Sequence, residues 1–268
     1  MIISARSAVS LGVAEVDLLC AAANSAPPFP LRIAQRGTTV RERRAVLRAA
    51  GAELAAKGLA DDRGPLGVAE GFAHLLQDCT LTLDMVLSIG TDVLGAVLLA
   101  QGDFAVLTTQ QLTGDGTLCM AELRLDDAVD ELLSFIPAHE AAMTSPFSLP
   151  AGALDRVYRD LLARRDRGDV SPEEWEDLLA THGIGDRLAR RLVSHLQPVL
   201  GNGQVGLANR GGYANEWRRF GQELRWLDTE RGRFQLVPGD DGEWMSVNPM
   251  HANELSSAVR RMAGSLRS

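Results

Sequence analysis

The sequence predicts an α+β fold, a central antiparallel sheet flanked by helices and built from two halves with quasi-two-fold symmetry. Two observations carry this. Glu223 to Met262 reads as three short strands joined by two tight turns and closed by a helix. The first half follows the same plan of helices, a run of strands and one closing helix.

Ala8–Leu11 is expected to be a short strand, followed by a helix from Val13 to Ala23 with Val16, Leu19 and Cys20 on one face. Asn24–Pro30 breaks that helix, because its prolines lack donors and bias their predecessors away from helix. Leu31–Ala34 is expected to form a second strand. Thr39 with Glu42 makes a capping-box pattern for a helix to about Lys57, carrying Val40, Leu47, Ala50 and Leu54 as its stripe. Val68–Leu76 is a further helix with Phe72, Leu75 and Leu76 inward. Strands follow at Leu81–Ser88, Gly95–Ala100, Phe104–Thr108 and Thr117–Leu123, then a helix over Asp126–Ile136.

Pro137–Pro150 reads as a connector. Helices are expected at Ala153–Arg165, after Ser171-Pro172-Glu173-Glu174, and over Asp186–Leu200. Gln204–Ala208 should begin the second set of strands. In the closing segment Leu224, Trp226 and Asp228 alternate with Arg225 and Leu227, the period of a half-buried strand. Gly232 sits where a turn needs positive φ, and Pro249 should end the third strand. From Ala252 the period changes, with Leu255, Val259 and Met262 on one helical face.

Placing Asp115-Gly116 on Asp241-Gly242 brings Leu118 onto Trp244, Val129 onto Leu255, Leu133 onto Val259 and Ile136 onto Met262. This register predicts an internal repeat of residues 1–140 and 147–268 within one domain.

Composition narrows the function classes. With 46% hydrophobic and 23% charged residues, the chain resembles an ordinary globular protein. Its 27 basic and 35 acidic residues leave a charge of −8, which argues against nucleic acid as a partner. Arg41, Arg43 and Arg44, and Arg187, Arg190 and Arg191, fall at helical spacing and are expected to form solvated faces. Cys20, Cys79 and Cys119 have no metal-like spacing, so reduced, buried thiols in the cytoplasm are expected. No leader-like N-terminus and no membrane-spanning run are evident.

No motif asks for catalysis. Gly201-Asn202-Gly203-Gln204-Val205-Gly206 matches GxGxxG, but a helix is expected before it and a strand after it, the reverse of a dinucleotide site. It is read as a helix-to-strand turn. His74, His139, His182, His195 and His251 include no HxH or HExxH pair, and His195 falls on an apolar stripe. Asp126-Asp127 suits a helix N-terminus and Asp240-Asp241 a turn. No catalytic, cofactor-binding or metal-binding residue is therefore assigned.

Leu227-Asp228-Thr229-Glu230-Arg231-Gly232-Arg233, then Asp241-Gly242-Glu243-Trp244-Met245-Ser246-Val247 and a closing helix, resemble the C-terminal segment of the EspG family. These are cytosolic chaperones of type VII (ESX) secretion. The N-terminal order of strand, helix, Pro-rich loop and strand is also similar, as is Gly58-Leu59 after the long helix. The resemblance spans nearly the whole chain. It implies an α+β fold with internal pseudo-symmetry, no enzymatic activity, and binding of PE–PPE heterodimers through the helical tip of the PPE partner. The family contacts it implies come from a loop between two early strands and from a helical bundle. On this sequence these are Ser88–Leu94, with Ile89, Gly90, Thr91, Asp92, Val93 and Leu94, and Leu154–Leu200. Within the bundle the residue types themselves make Tyr158 and Trp175 candidate interface anchors, with core packing the expected role of Trp175. Two other readings make different predictions: an enzyme with a cryptic site between the halves, using His74, His139 or His195, and a dimer pairing through an edge strand.

Overall fold

The computed structural model describes residues 8–114, 116–152, 156, 159–160, 172–182, 184–185, 195–196, 198–211, 216–240 and 242–267. Its element order is β1 (Val9–Leu11), α1 (Val13–Ala22), α2 (Val40–Ala56), α3 (Val68–Asp78), β2 (Leu81–Ile89), β3 (Asp92–Gln101), β4 (Phe104–Gln111), β5 (Leu118–Arg124) and α4 (Leu125–Ser134). There follow β6 (Phe147–Pro150), α5 (Pro172–Thr181), β7 (Val199–Gly211), β8 (Glu216–Thr229), β9 (Gly232–Pro238), β10 (Trp244–Pro249) and α6 (Ala252–Gly264). The strands form one sheet in the order β1-β5-β4-β3-β2-β7-β8-β9-β10-β6. The central antiparallel sheet with flanking helices is thus as the sequence predicts.

Two compact units divide the chain. The first comprises residues 1–137, 203–223 and 256–268, and the second residues 138–202 and 224–255. In the first, α1 and α3 lie against β1, β3, β4 and β5 around Val16, Leu19, Phe72, Leu75, Val97 and Leu99. Helix α3 comes close to β4 because Gly71 is bare, and a Cβ there would lie 2.8 Å from the Phe104 ring. Charged groups tie α2 to α1. Buried Asp17 accepts from Arg43, with Nη2 2.8 Å from Oδ1, and buried Glu15 pairs with Lys57 at 2.6 Å. Arg43 is therefore a partner for a buried carboxylate rather than a member of a purely solvated face. The predicted capping box is present: Thr39 Oγ1 accepts from Glu42 N–H at 3.2 Å, and Glu42 Oε2 from Thr39 N–H at 3.1 Å.

The second unit is built around Phe147, Leu149, Leu178, Leu179, Phe234 and Val247. Its centre is a buried ion pair. Arg233, 2% exposed, donates from Nε and Nη2 to the two oxygens of Asp228 at 2.6 and 2.8 Å. The Trp226 ring lies 5.9 Å from the guanidinium. Gly232, at φ 119°, accommodates the passing backbone of Ala142, which would lie 2.6 Å from a Cβ.

Several expectations require correction. Leu31–Ala34 is not a strand. Its backbone is satisfied by one side chain, with Arg32 N–H donating to Gln110 Oε1 at 2.7 Å and Gln110 Nε2 donating to Arg32 O at 3.2 Å. The connector Pro137–Pro150 contains β6, which pairs with β10 from Trp244 opposite Pro150 to Val247 opposite Phe147. Val40 is the first residue of α2 and stands exposed instead of joining its stripe. The helix expected to reach Leu200 gives way to β7 by Val199. Of the helix expected at Ala153–Arg165, and of residues 186–194, too little falls within the described residues to compare.

Candidate interaction surface

Strands β2 and β3 form a long hairpin through the most apolar run of the chain. The pairing is complete to Ile89 opposite Asp92. The segment expected as the loop Ser88–Leu94 is therefore a tight turn with only Gly90 and Thr91 outside the strands. Gly90 takes φ 59°, the left-handed conformation that a two-residue hairpin demands.

The strand period sorts the six predicted contact residues. Gly90, Thr91 and Asp92 are exposed at the tip, and Ile89 and Val93 are half-buried behind it. Leu94 is 3% exposed and faces the core. The tip is braced by the residues that follow β4, where Val93 O accepts from Leu112 N–H at 2.8 Å and Val93 N–H donates to Thr113 Oγ1 at 3.3 Å. On Gly95, two residues along the same face, a Cβ would lie 2.9 Å from Pro30 Cγ, so the Pro-rich loop packs close behind the hairpin. What the tip can offer a partner is one partly exposed apolar side chain on each face, Ile89 beside Asp92 on one and Val93 beside Ser88 on the other. Such a surface suits burial against another protein better than chemistry on a small molecule. Tyr158 lies outside the described residues, as does most of Leu154–Leu200. Within that stretch α5 buries Leu178 and Leu179.

The histidines do not assemble a site. His74 Nδ1 lies 3.3 Å from Asp78, one turn along α3, and His139 Nε2 donates to the Thr229 carbonyl at 2.7 Å. His182 faces Asp160 at 2.8 Å, and His195 lies beside the Phe147 ring at 6.5 Å. A cleft of about 610 Å³ is lined by Pro65, Glu70, His74, Gln77, Phe104 and Glu122, but its titratable side chains are exposed. The thiols are poor nucleophiles. Burial, aided by Asp17, pushes Cys20 up to about 12, and burial pushes Cys79 up to about 11. The GxGxxG segment lies inside β7, not in a turn. It can cradle no phosphate there, because its amides belong to a strand.

One polar group was not predicted. Asp84 stands in β2 with no exposed surface, 2.8 Å from Arg219 Nη2 on β8. The contact is an ion pair outside hydrogen-bond geometry, and neither carboxylate oxygen accepts a hydrogen bond. Burial dominates over the arginine and pushes the carboxyl up to about 7. The signal was a lone aspartate within Leu81-Thr82-Leu83-Asp84-Met85-Val86-Leu87.

Among the described residues, no helix is long and apolar enough to cross a membrane. No curated protein matches the chain. The fold is similar to that of a solved Mycobacterium tuberculosis protein, the type VII secretion system chaperone EspG5 in complex with a PE25–PPE41 dimer. That likeness has a TM-score of 0.57 at 14% identity and covers 95% of each chain. A model of the EspG family matches residues 12–261. The chain therefore belongs to the EspG family.

Proposed function

We propose that this protein is a non-enzymatic, cytoplasmic chaperone of type VII secretion. It binds PE–PPE heterodimers by the helical tip of the PPE partner, keeps them soluble and directs them to secretion. The observation that carries this reading is the family match from residue 12 to residue 261, which spans the hairpin, the bundle segment and the closing strands. The likeness in fold to a protein solved with a PE–PPE dimer supports it.

The contact is formed by Ile89, Gly90, Thr91, Asp92 and Val93, with Leu94 anchoring the hairpin from within and Tyr158 contributing from the bundle segment. With so short a tip, the bundle carries a larger share of the contact than a long protruding loop would leave it. Burying a client's apolar tip against the hairpin and the bundle segment removes from water the surface that would otherwise drive aggregation. Co-expression with candidate PE–PPE pairs tests the proposal. A soluble complex that co-purifies supports it, and client that stays insoluble whether or not the chain is present overturns it.

We further infer that the 268 residues form one domain made by duplication. Three features support this. Strands β1 to β5 and β6 to β10 occupy matching places in the two wings of the strand order. Thr82 Oγ1 donates at 3.5 Å to Ala208 O, its counterpart 126 residues along, the same offset as between the two Asp-Gly pairs. Val129 and Leu255 are both buried, as the register requires. Trp244 departs from the pattern, being exposed where Leu118 is buried.

A further inference from the structure

The fully buried carboxylate of Asp84 accepts no hydrogen bond, and a charge placed so needs an opposite charge nearby. Arg219 supplies it from β8 by reaching across β7. The crossing is possible because residue 206 is glycine, where a Cβ would fall 1.5 Å from the Arg219 Nη1. The same guanidinium has a second carboxylate within reach, with Nε 3.1 Å from Glu223 Oε1. Its face is covered by the half-exposed Phe29 ring, 4.7 Å away. A second tie joins the same two segments, Trp217 Nε1 donating to Ala26 O at 3.1 Å.

Arg219 thus stands between a buried carboxylate and a surface one, and carries an aromatic side chain of the Pro-rich loop on its back. Among the described residues the charged groups that act on Asp84 are Arg219 and Glu223. Val97, opposite Asp84 on β3, and Gly95 and Leu99 beside it bear no charge. Nor do Gly206 and Ala208 of β7.

We propose that Asp84, Arg219, Glu223 and Phe29 form a pH-sensitive latch. With Asp84 ionised, the arginine is drawn inward across Gly206 and holds Phe29 and residues 24–30 against β8. With Asp84 protonated by solvent, Arg219 turns to Glu223 and the hold on Phe29 is released. The surface beside the hairpin then changes without any change in the rest of the fold. The trigger is charge balance in a low-dielectric strand, where taking up one proton costs less than keeping an anion without hydrogen bonds.

Hydrogen exchange of the full chain between pH 6 and 8, corrected for intrinsic rates, tests the latch. Protection of peptides covering 24–30 and 216–222 is expected to fall at least about threefold from pH 8 to pH 6, while core peptides of α3 and β4 stay unchanged. Asp84→Asn should show the low protection at both pH values. Arg219→Gln, which leaves the buried strand intact, should do the same. Glu223→Gln should move the midpoint to lower pH, because the like charge that favours protonation is gone. Flat protection in the wild type, or a transition that survives in both Asp84→Asn and Arg219→Gln, would overturn the latch.

Discussion

Asp228 and Arg233 belong to the segment that most strongly marked the family, and the structure gives that segment a physical purpose. The pair is buried and bidentate, so neither partner can lose the other and remain solvated. Arg233→Ala should destabilise the fold by about 3–5 kcal/mol, because Asp228 would keep its charge with no counterion. Denaturant titration measures this, and a change below about 1 kcal/mol would show that water reaches the pair. Asp84 poses the opposite case. Its carboxyl titrates near 7 when folded and near the ordinary carboxylate range when unfolded, so the folded state holds the extra proton between those values. Stability is therefore full at low pH and declines by up to about 1.4 kcal/mol per pH unit from about pH 4 to about pH 7. Asp84→Asn removes that slope and should be the more stable protein at pH 8. Thermal unfolding of both proteins from pH 5 to 8 checks it, and parallel pH profiles would refute it.

At the scale of elements, the β2–β3 hairpin separates residues that the sequence placed together. As a loop, Ser88–Leu94 made Ile89 and Leu94 equivalent probes of binding. As a paired hairpin, it makes Ile89→Asp a surface change and Leu94→Asp a core change. Leu94→Asp should cost several kcal/mol and compromise folding, since a carboxylate would enter an apolar interior. Ile89→Asp should leave the melting temperature within a few degrees while weakening client binding about tenfold or more. Calorimetry of both variants distinguishes them. Full client affinity in Ile89→Asp would remove the hairpin from the interface.

The same comparison shows what the sequence could reveal. Helices α1, α3 and α4 and the four-strand run after α3 were legible because each carries an uninterrupted apolar period. The cap of α2 was legible from Thr39 and Glu42 alone. Strand β6 was hidden because four residues, the last of them Pro150 and the one before them Pro146, carry too little pattern. The start of β7 was hidden because its glycines read locally as a turn, whereas Gly206 answers to an arginine from the next strand. Leu31–Ala34 stays outside the sheet because the Gln110 side chain supplies the backbone partner that a neighbouring strand would have supplied. In each case the missing information was a contact remote in sequence. The candidate surface was legible only as a segment, and which of its side chains face outward depends on the hairpin register.

For the whole molecule, the family match over residues 12–261 carries the role proposed above, and the likeness to the EspG5 structure carries the fold. Among the described residues nothing converges as a catalytic site: the buried thiols are held protonated and the histidines keep separate partners. The sheet ends, among the described residues, in β1 and β6, of three and four residues, which offer short edges for pairing with a second copy. The most direct measurement is the affinity of the purified chain for a purified PE–PPE heterodimer, taken beside the same heterodimer with charged residues placed in the PPE helical tip. Saturable binding at micromolar concentration or tighter, lost with the altered tip, is the predicted result. Binding that is indifferent to the tip, or absent for every candidate PE–PPE pair, would contradict the assignment.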